Sequence, residues 1–221
     1  MKIRNILLFG FIIMQFDSFS QEYIVSIDDR NKTIELTNQA IKSIKENKTE
    51  EAFSLLSKAI SVDSTFRSSY LYLYNVFLQN KDYSEKVILY FKKAKRIFLE
   101  DDEISYYLAE IYRINDNLRN AINEYSFAIN YSKLNGEEFS LVDSYYYNRG
   151  NCYLKMNILD SALFDYNYSL KLKSNQPSVF LNRGICLFKK GNSSKACEDW
   201  KMSLILGGSK AKEYLVKYCT K

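Results

Sequence analysis

Asn148-Arg149-Gly150 recurs thirty-four residues later as Asn182-Arg183-Gly184, and the match continues through both segments. Cys152 answers to Cys186, Ala162 to Ala196, Asp165 to Asp199, Tyr166 to Trp200 and Ser169 to Ser203. Fixed-period self-similarity of this length marks an array of stacked supersecondary units. Moving back along the chain, Ala162 answers to Ala121 across 41 residues, one period plus a seven-residue insertion. Ala121, Tyr125 and Ala128 then answer to Val87, Phe91 and Ala94 at 34 again, and Ala59 lies 35 before Ala94. Five units follow, near 33–66, 68–101, 102–135, 143–176 and 177–209, with a short amphipathic tail from Lys210 to Cys219.

Each unit reads as two helices. In the last one Phe180, Gly184 and Leu187 fall at i, i+4 and i+7, and Ala196, Trp200 and Ser203 repeat that spacing after the break at Lys190-Gly191-Asn192. Small residues (Ala109, Gly150 and Gly184 on first helices, Ala121, Ala162 and Ala196 on second helices) sit where the stripes cross, so that the axes approach to about 8–10 Å around an aromatic filler. Composition agrees: 47% of the 221 residues are hydrophobic, with only seven Gly and one Pro, too few turn residues for a many-stranded β fold. The complete lack of histidine removes Ser-His-Asp and Cys-His chemistry and His-ligated metal sites. No cofactor and no metal site is expected.

On these small and aromatic positions, over about 34–209, the chain resembles the tetratricopeptide repeat. That resemblance implies an all-α, right-handed superhelical solenoid of about five helix-turn-helix repeats, closed by a C-terminal capping helix at 210–221. The pattern departs from the family in lacking a proline at the end of each unit, Pro177 being the only one, and in carrying Asn75 and Val87 where small residues are expected. First helices of such an array line a concave surface. Counting one residue past the core aromatic of each first helix gives Tyr72, Tyr106, Tyr147 and Leu181, with Val76, Glu110, Asn151 and Ile185 around them, Tyr107, Asn148 and Asn182 adjacent and Arg113 a turn further on. Tyrosine offers wide contact area at low entropic cost, and an asparagine amide can donate to and accept from an extended backbone. The ladder reads either as a peptide-binding groove or as packing between repeats. The family's groove of lysines and asparagines gripping a C-terminal carboxylate is not matched, because Tyr72, Tyr106 and Tyr147 occupy the basic positions.

Arg149 with Asp165, and Arg183 with Asp199, lie at equal height on either side of their hairpin turns and read as structural ion pairs. By the same counting Cys219, on a tail helix returning after Gly207-Gly208, lies level with Cys197, and a disulfide between them would pin the cap; Cys186 with Cys197 is the rival pairing. The insertion Ser132 to Val142 reads as a tolerated loop between units three and four.

Lys2 and Arg4 precede an apolar run from Ile6 to Phe16, and small residues at Ser18 and Ser20 precede Gln21, the layout of a cleaved secretory signal peptide at 1–20. A linker at 21–32 would follow. Cleavage takes away Lys2, Arg4 and Asp17, lowering the net charge from +5 to +4. Lys92-Lys93-Ala94-Lys95-Arg96 is followed at once by Glu100-Asp101-Asp102-Glu103, so it reads as a solvated helix face and not as a nucleic-acid patch. The expected location is the periplasm or envelope of a Gram-negative bacterium, or the medium, without stable membrane insertion after cleavage. Richness in Lys, Asn, Ile and Ser, with Gln after the cleavage point, resembles exported proteins of Bacteroidetes. The functional expectation is a non-enzymatic scaffold binding a protein or peptide segment of unspecified identity and assembly state; the alternatives are an accessory subunit of an envelope or secretion assembly that uses its outer face, and a carboxylate-based glycan-acting enzyme.

Overall fold

The computed structural model describes residues 25–137 and 141–219, and the signal peptide expected at 1–20 lies outside them. Eleven α-helices follow in order: α1 (Ile27–Lys45), α2 (Thr49–Val62), α3 (Arg67–Gln79), α4 (Ser84–Ile97), α5 (Asp102–Ile114), α6 (Leu118–Asn135), α7 (Val142–Lys155), α8 (Leu159–Leu172), α9 (Pro177–Lys189), α10 (Ser193–Ile205) and α11 (Ala211–Tyr218). No strand occurs among the described residues. Each odd-numbered helix from α1 to α9 pairs with the next to form a hairpin, and each hairpin packs on its neighbour.

The turns explain why the hairpins close in register. Asn47, Asp116, Asn157 and Gly191 each take positive φ (58°, 61°, 61° and 82°) just past a first helix. The next residue's N–H then reaches back to a carbonyl in the last helical turn, as in Asn117 to Tyr112 (2.9 Å), Ile158 to Tyr153 (2.8 Å) and Asn192 to Leu187 (2.9 Å). The second hairpin differs, its turn being a 3₁₀ segment (Lys81–Tyr83) capped by the Asn80 side chain, which accepts from the Asp82 N–H at 2.9 Å.

Phe91, Tyr125, Tyr166 and Trp200 are equivalent positions of successive second helices, and all four are fully buried. Facing them, Gly150 and Gly184 are required by close approach: a Cβ on Gly150 would sit 2.9 Å from the Tyr166 ring, and one on Gly184 2.5 Å from Trp200 Nε1. Ser169 Oγ donates to the Asp143 carbonyl (2.9 Å) and Ser203 Oγ to that of Pro177 (2.8 Å), so the two repeats are tied in the same way.

Two boundaries need correction. α1 begins at Ile27, where the Ser26 hydroxyl accepts from the Asp29 N–H at 3.0 Å and Asp28 and Asp29 occupy the first turn, so residues 27–32 are helix and not linker. The seven-residue insertion is not all loop, since α6 runs for 18 residues where α4 and α8 run for 14, adding a full turn before Gly136 takes φ 92°. At the other end α11 covers the last hairpin. Tyr214 and Tyr218 stack near Trp200 with ring centroids 5.0 and 5.9 Å away, and Tyr218 lies 4.4 Å from Phe188.

Candidate peptide-binding surface

Among the described residues α1 touches α3, α3 touches α5 and α7 touches α9, and no comparable contact joins second helices. Odd-numbered helices therefore form the inner wall. Along it Tyr72, Tyr106, Tyr107, Tyr147, Asn148, Asn151 and Asn182 are all half-buried, but they are not equivalent. Tyr72 and Tyr107 line an open concavity of about 370 Å³ together with Ser68, Leu71, Tyr74 and Asn75. Burial raises the Tyr74 phenol to about 12 and pushes that of Tyr107 upward, so both remain neutral hydrogen-bond donors across the physiological range.

Tyr106 instead joins repeats. Its ring lies 4.9 Å from Tyr145, 5.3 Å from Tyr107 and 6.1 Å from Tyr125, and the Asn148 amide donates to its hydroxyl at 3.5 Å. Asn182 donates to Asn151 Oδ1 (2.8 Å) and to the Tyr147 hydroxyl (3.3 Å), while the Tyr166 hydroxyl donates to that same Asn151 oxygen (2.8 Å). The wall from Tyr106 to Asn182 is a chain of amides and phenols already bonded to each other. Its open end is at Tyr72.

Glu110 requires correction as a groove residue, while Arg113 beside it stays one-third exposed. Glu110 is only 5% exposed. Its carboxylate accepts from Arg113 Nη2 (2.6 Å) and Nε (3.1 Å) and, in a short hydrogen bond, from the Tyr125 hydroxyl. The register placed it one turn from the groove correctly, but its partners turn it into the hairpin. Tyr125 is held far above the ordinary phenol range, first by burial and then by the Glu110 charge. The sequence carried a signal for this: Val76 faces the Phe91 row, and where that row gains a hydroxyl (Tyr125, Tyr166) the facing position becomes Glu110 or Asn151.

Arg149 makes a bidentate contact with Asp165 (2.9 and 2.7 Å) and donates to Ser126 Oγ (3.0 Å); Arg183 repeats it with Asp199 (2.8 and 2.6 Å) and donates to Asn167 Oδ1 (2.8 Å). Both arginines thus clasp their own hairpin and reach the preceding one. Burial, outweighing the Arg149 charge, moves the Asp165 carboxyl upward. Cys197 is bonded to Cys219, with Cα atoms 5.9 Å apart, and Cys186 is a free buried thiol, so the rival pairing is not formed. Burial raises Cys152 to about 12 and Cys186 to about 11. Among the described residues no cluster of three or more cysteine or carboxylate side chains could hold a metal, and no helix is long and apolar enough to cross a membrane.

No protein-family model matches the chain, and neither does any curated protein sequence. Solved structures do match its shape. MamA superposes with a TM-score of 0.66 at 20% identity, covering 78% of this chain and 96% of that one. PilF of Pseudomonas aeruginosa gives 0.67 at 18%, covering 88% and 95%. YrrB, described as a TPR protein with an unusual peptide-binding site, gives 0.62 at 21%, covering 81% and 88%. The fold is a tetratricopeptide-type solenoid. At these identities the likeness concerns architecture, and function has to be argued from this chain's own inner wall.

Proposed function

We propose that this protein is a non-enzymatic scaffold that holds an extended segment of a partner protein against the inner wall formed by α1, α3, α5, α7 and α9. The observation that carries this reading is the concavity bounded by Tyr72, Tyr74, Asn75 and Tyr107, where neutral phenols and an amide converge on open space. Such a surface suits the main chain of an uncharged segment: phenol hydroxyls donate to its carbonyls, Asn75 can donate or accept, and the rings cover its side chains. The chain of bonded amides and phenols from Tyr106 to Asn182 keeps the wall rigid, which lowers the ordering cost of binding. The peptide site attributed to YrrB on the same fold supports the reading by analogy.

The site of action proposed with it is the periplasm or envelope. Support comes from the charged, apolar and small-residue order of residues 1–20 and from the Cys197–Cys219 bond, which fits an oxidising compartment. The test is affinity capture from an envelope fraction with the full chain and with Tyr72→Ala and Asn75→Ala. A discrete partner retained by the wild type and lost by both variants is expected; equal capture by all three refutes the groove.

A further inference from the structure

A second concavity, of about 410 Å³, opens on the opposite side of the solenoid between the second helices α2 and α4, lined by Phe53, Lys86, Leu89, Tyr90 and Lys93. Its floor is aromatic. The Phe53 ring lies 4.8 Å from Tyr83 and 6.0 Å from Tyr90. Lys86 Nζ stands 5.7 Å from the Phe53 centroid and 5.4 Å from that of Tyr83, and among the described residues neither Lys86 nor Lys93 is in an ion pair. Leu89 projects at the rim with 67% of its surface in solvent. Lys92, Lys93 and Arg96 continue the exposed face of α4, while Lys95 is occupied with Glu124 at 2.5 Å. Apolar floor and cationic rim are thus combined in one cleft away from the concave wall.

We infer that this convex cleft docks an acidic peptide segment of a partner protein, one that inserts a large apolar side chain between Phe53, Tyr90 and Leu89 and sets flanking carboxylates against Lys86 and Lys93. Charge complementarity selects this occupant. A cation-lined rim whose Lys86 and Lys93 ammonium groups are in no ion pair among the described residues favours carboxylates, and an aromatic floor rewards a single buried anchor residue. A neutral segment would leave the rim unused, and a basic one would be repelled.

The test is fluorescence anisotropy of the full chain with three labelled synthetic peptides: one phenylalanine flanked by glutamates, the same phenylalanine flanked by lysines, and the glutamate peptide with alanine in place of phenylalanine. Saturable binding of the first alone is expected, weakening as salt is raised. It should fall by about tenfold or more in the Lys86→Glu/Lys93→Glu double variant, whose exposed positions leave the core intact, and stay unchanged in Tyr72→Ala. The Tyr72→Ala arm separates this site from the concave wall. Equal binding of the lysine peptide, equal binding by the charge-reversed variant, or no saturable binding of the first peptide overturns the proposal. So does sedimentation with phosphatidylserine vesicles that depends on the two lysines while no peptide binds, which would make the cleft a lipid contact.

Discussion

Replacing Glu110 by valine imports the residue that the second hairpin carries at the same place, Val76, and leaves two groups stranded. The Tyr125 hydroxyl loses its acceptor in a fully buried position, and the Arg113 guanidinium, one-third exposed, loses its carboxylate. Breaking a fully buried ion pair costs about 3–5 kcal/mol, and the access of Arg113 to water discounts this to about 2–3 kcal/mol for Glu110→Val. Tyr125→Phe alone removes two hydrogen bonds, the one donated to Glu110 and the one accepted from Arg113 Nε (3.2 Å), and should cost about 1–2 kcal/mol. In the double variant most of that cost disappears, because phenylalanine removes a donor left without an acceptor, reproduces the Val76–Phe91 pairing of the second hairpin and gives up only the contact from the partly exposed Arg113. Adding Tyr125→Phe to Glu110→Val should therefore change stability by about 0 kcal/mol, a coupling of about 1–2 kcal/mol across the cycle. Urea unfolding followed by circular dichroism measures all four proteins, with the m-value checked for constancy because stacked repeats can lose cooperativity. If Tyr125→Phe costs the same in both backgrounds, Glu110 does not act as the acceptor and the reasoning fails.

Gly184→Ala should destabilise by about 1–2 kcal/mol, overpacking against Trp200 exceeding the gain in helix propensity, and Gly150→Ala should cost less because its nearest contact is looser (2.9 against 2.5 Å); urea midpoints in the reverse order would contradict this. Reducing the Cys197–Cys219 bond, which spans 22 residues, should lower stability by about 3 kcal/mol on the chain-entropy estimate, while the oxidised unfolded chain should show two free thiols that map to Cys152 and Cys186. Alkaline titration should show delayed phenol and thiol ionisation. Cys152, Cys186 and Tyr74 have folded values raised to about 12, 11 and 12, so their stabilisation is complete below their ordinary values and is lost as pH rises through the raised ones; alkylation of Cys152 and Cys186 should then set in together with the loss of ellipticity, and modification of both thiols well before unfolding would refute it. N-terminal sequencing of the protein recovered from an envelope fraction should begin at Gln21, and an intact Met1 there would contradict the proposed cleavage.

The repeat was legible because its carriers are sterically demanding. A ring such as Tyr166 or Trp200 leaves room for no more than a small residue opposite, as at Gly150 and Gly184, so the pairing recurs at fixed spacing where surface residues do not. Equal-height counting worked for Arg149 and Arg183 for the same reason, since an antiparallel hairpin fixes the axial position of every residue. It does not fix rotation at the boundary between wall and interior. Glu110 stands at that boundary, and only its partner Tyr125, fifteen residues on, decides that it faces inward. The start of α1 was missed because its apolar stripe is weak before Thr33, although Ser26 followed by Asp28 and Asp29 is a capping signal. The convex cleft was not legible at all, because it depends on how far apart α2 and α4 lie, which no spacing within either helix encodes.

In the proposed function the inner wall near Tyr72 receives a partner segment. Its most direct test is crosslinking in living cells from a photoreactive residue placed at Tyr72, compared with one at exposed Asn130 on α6, followed by mass spectrometry. A discrete protein adduct is expected from position 72 and should be absent from position 130. No adduct at 72, or the same adduct from both positions, would contradict it.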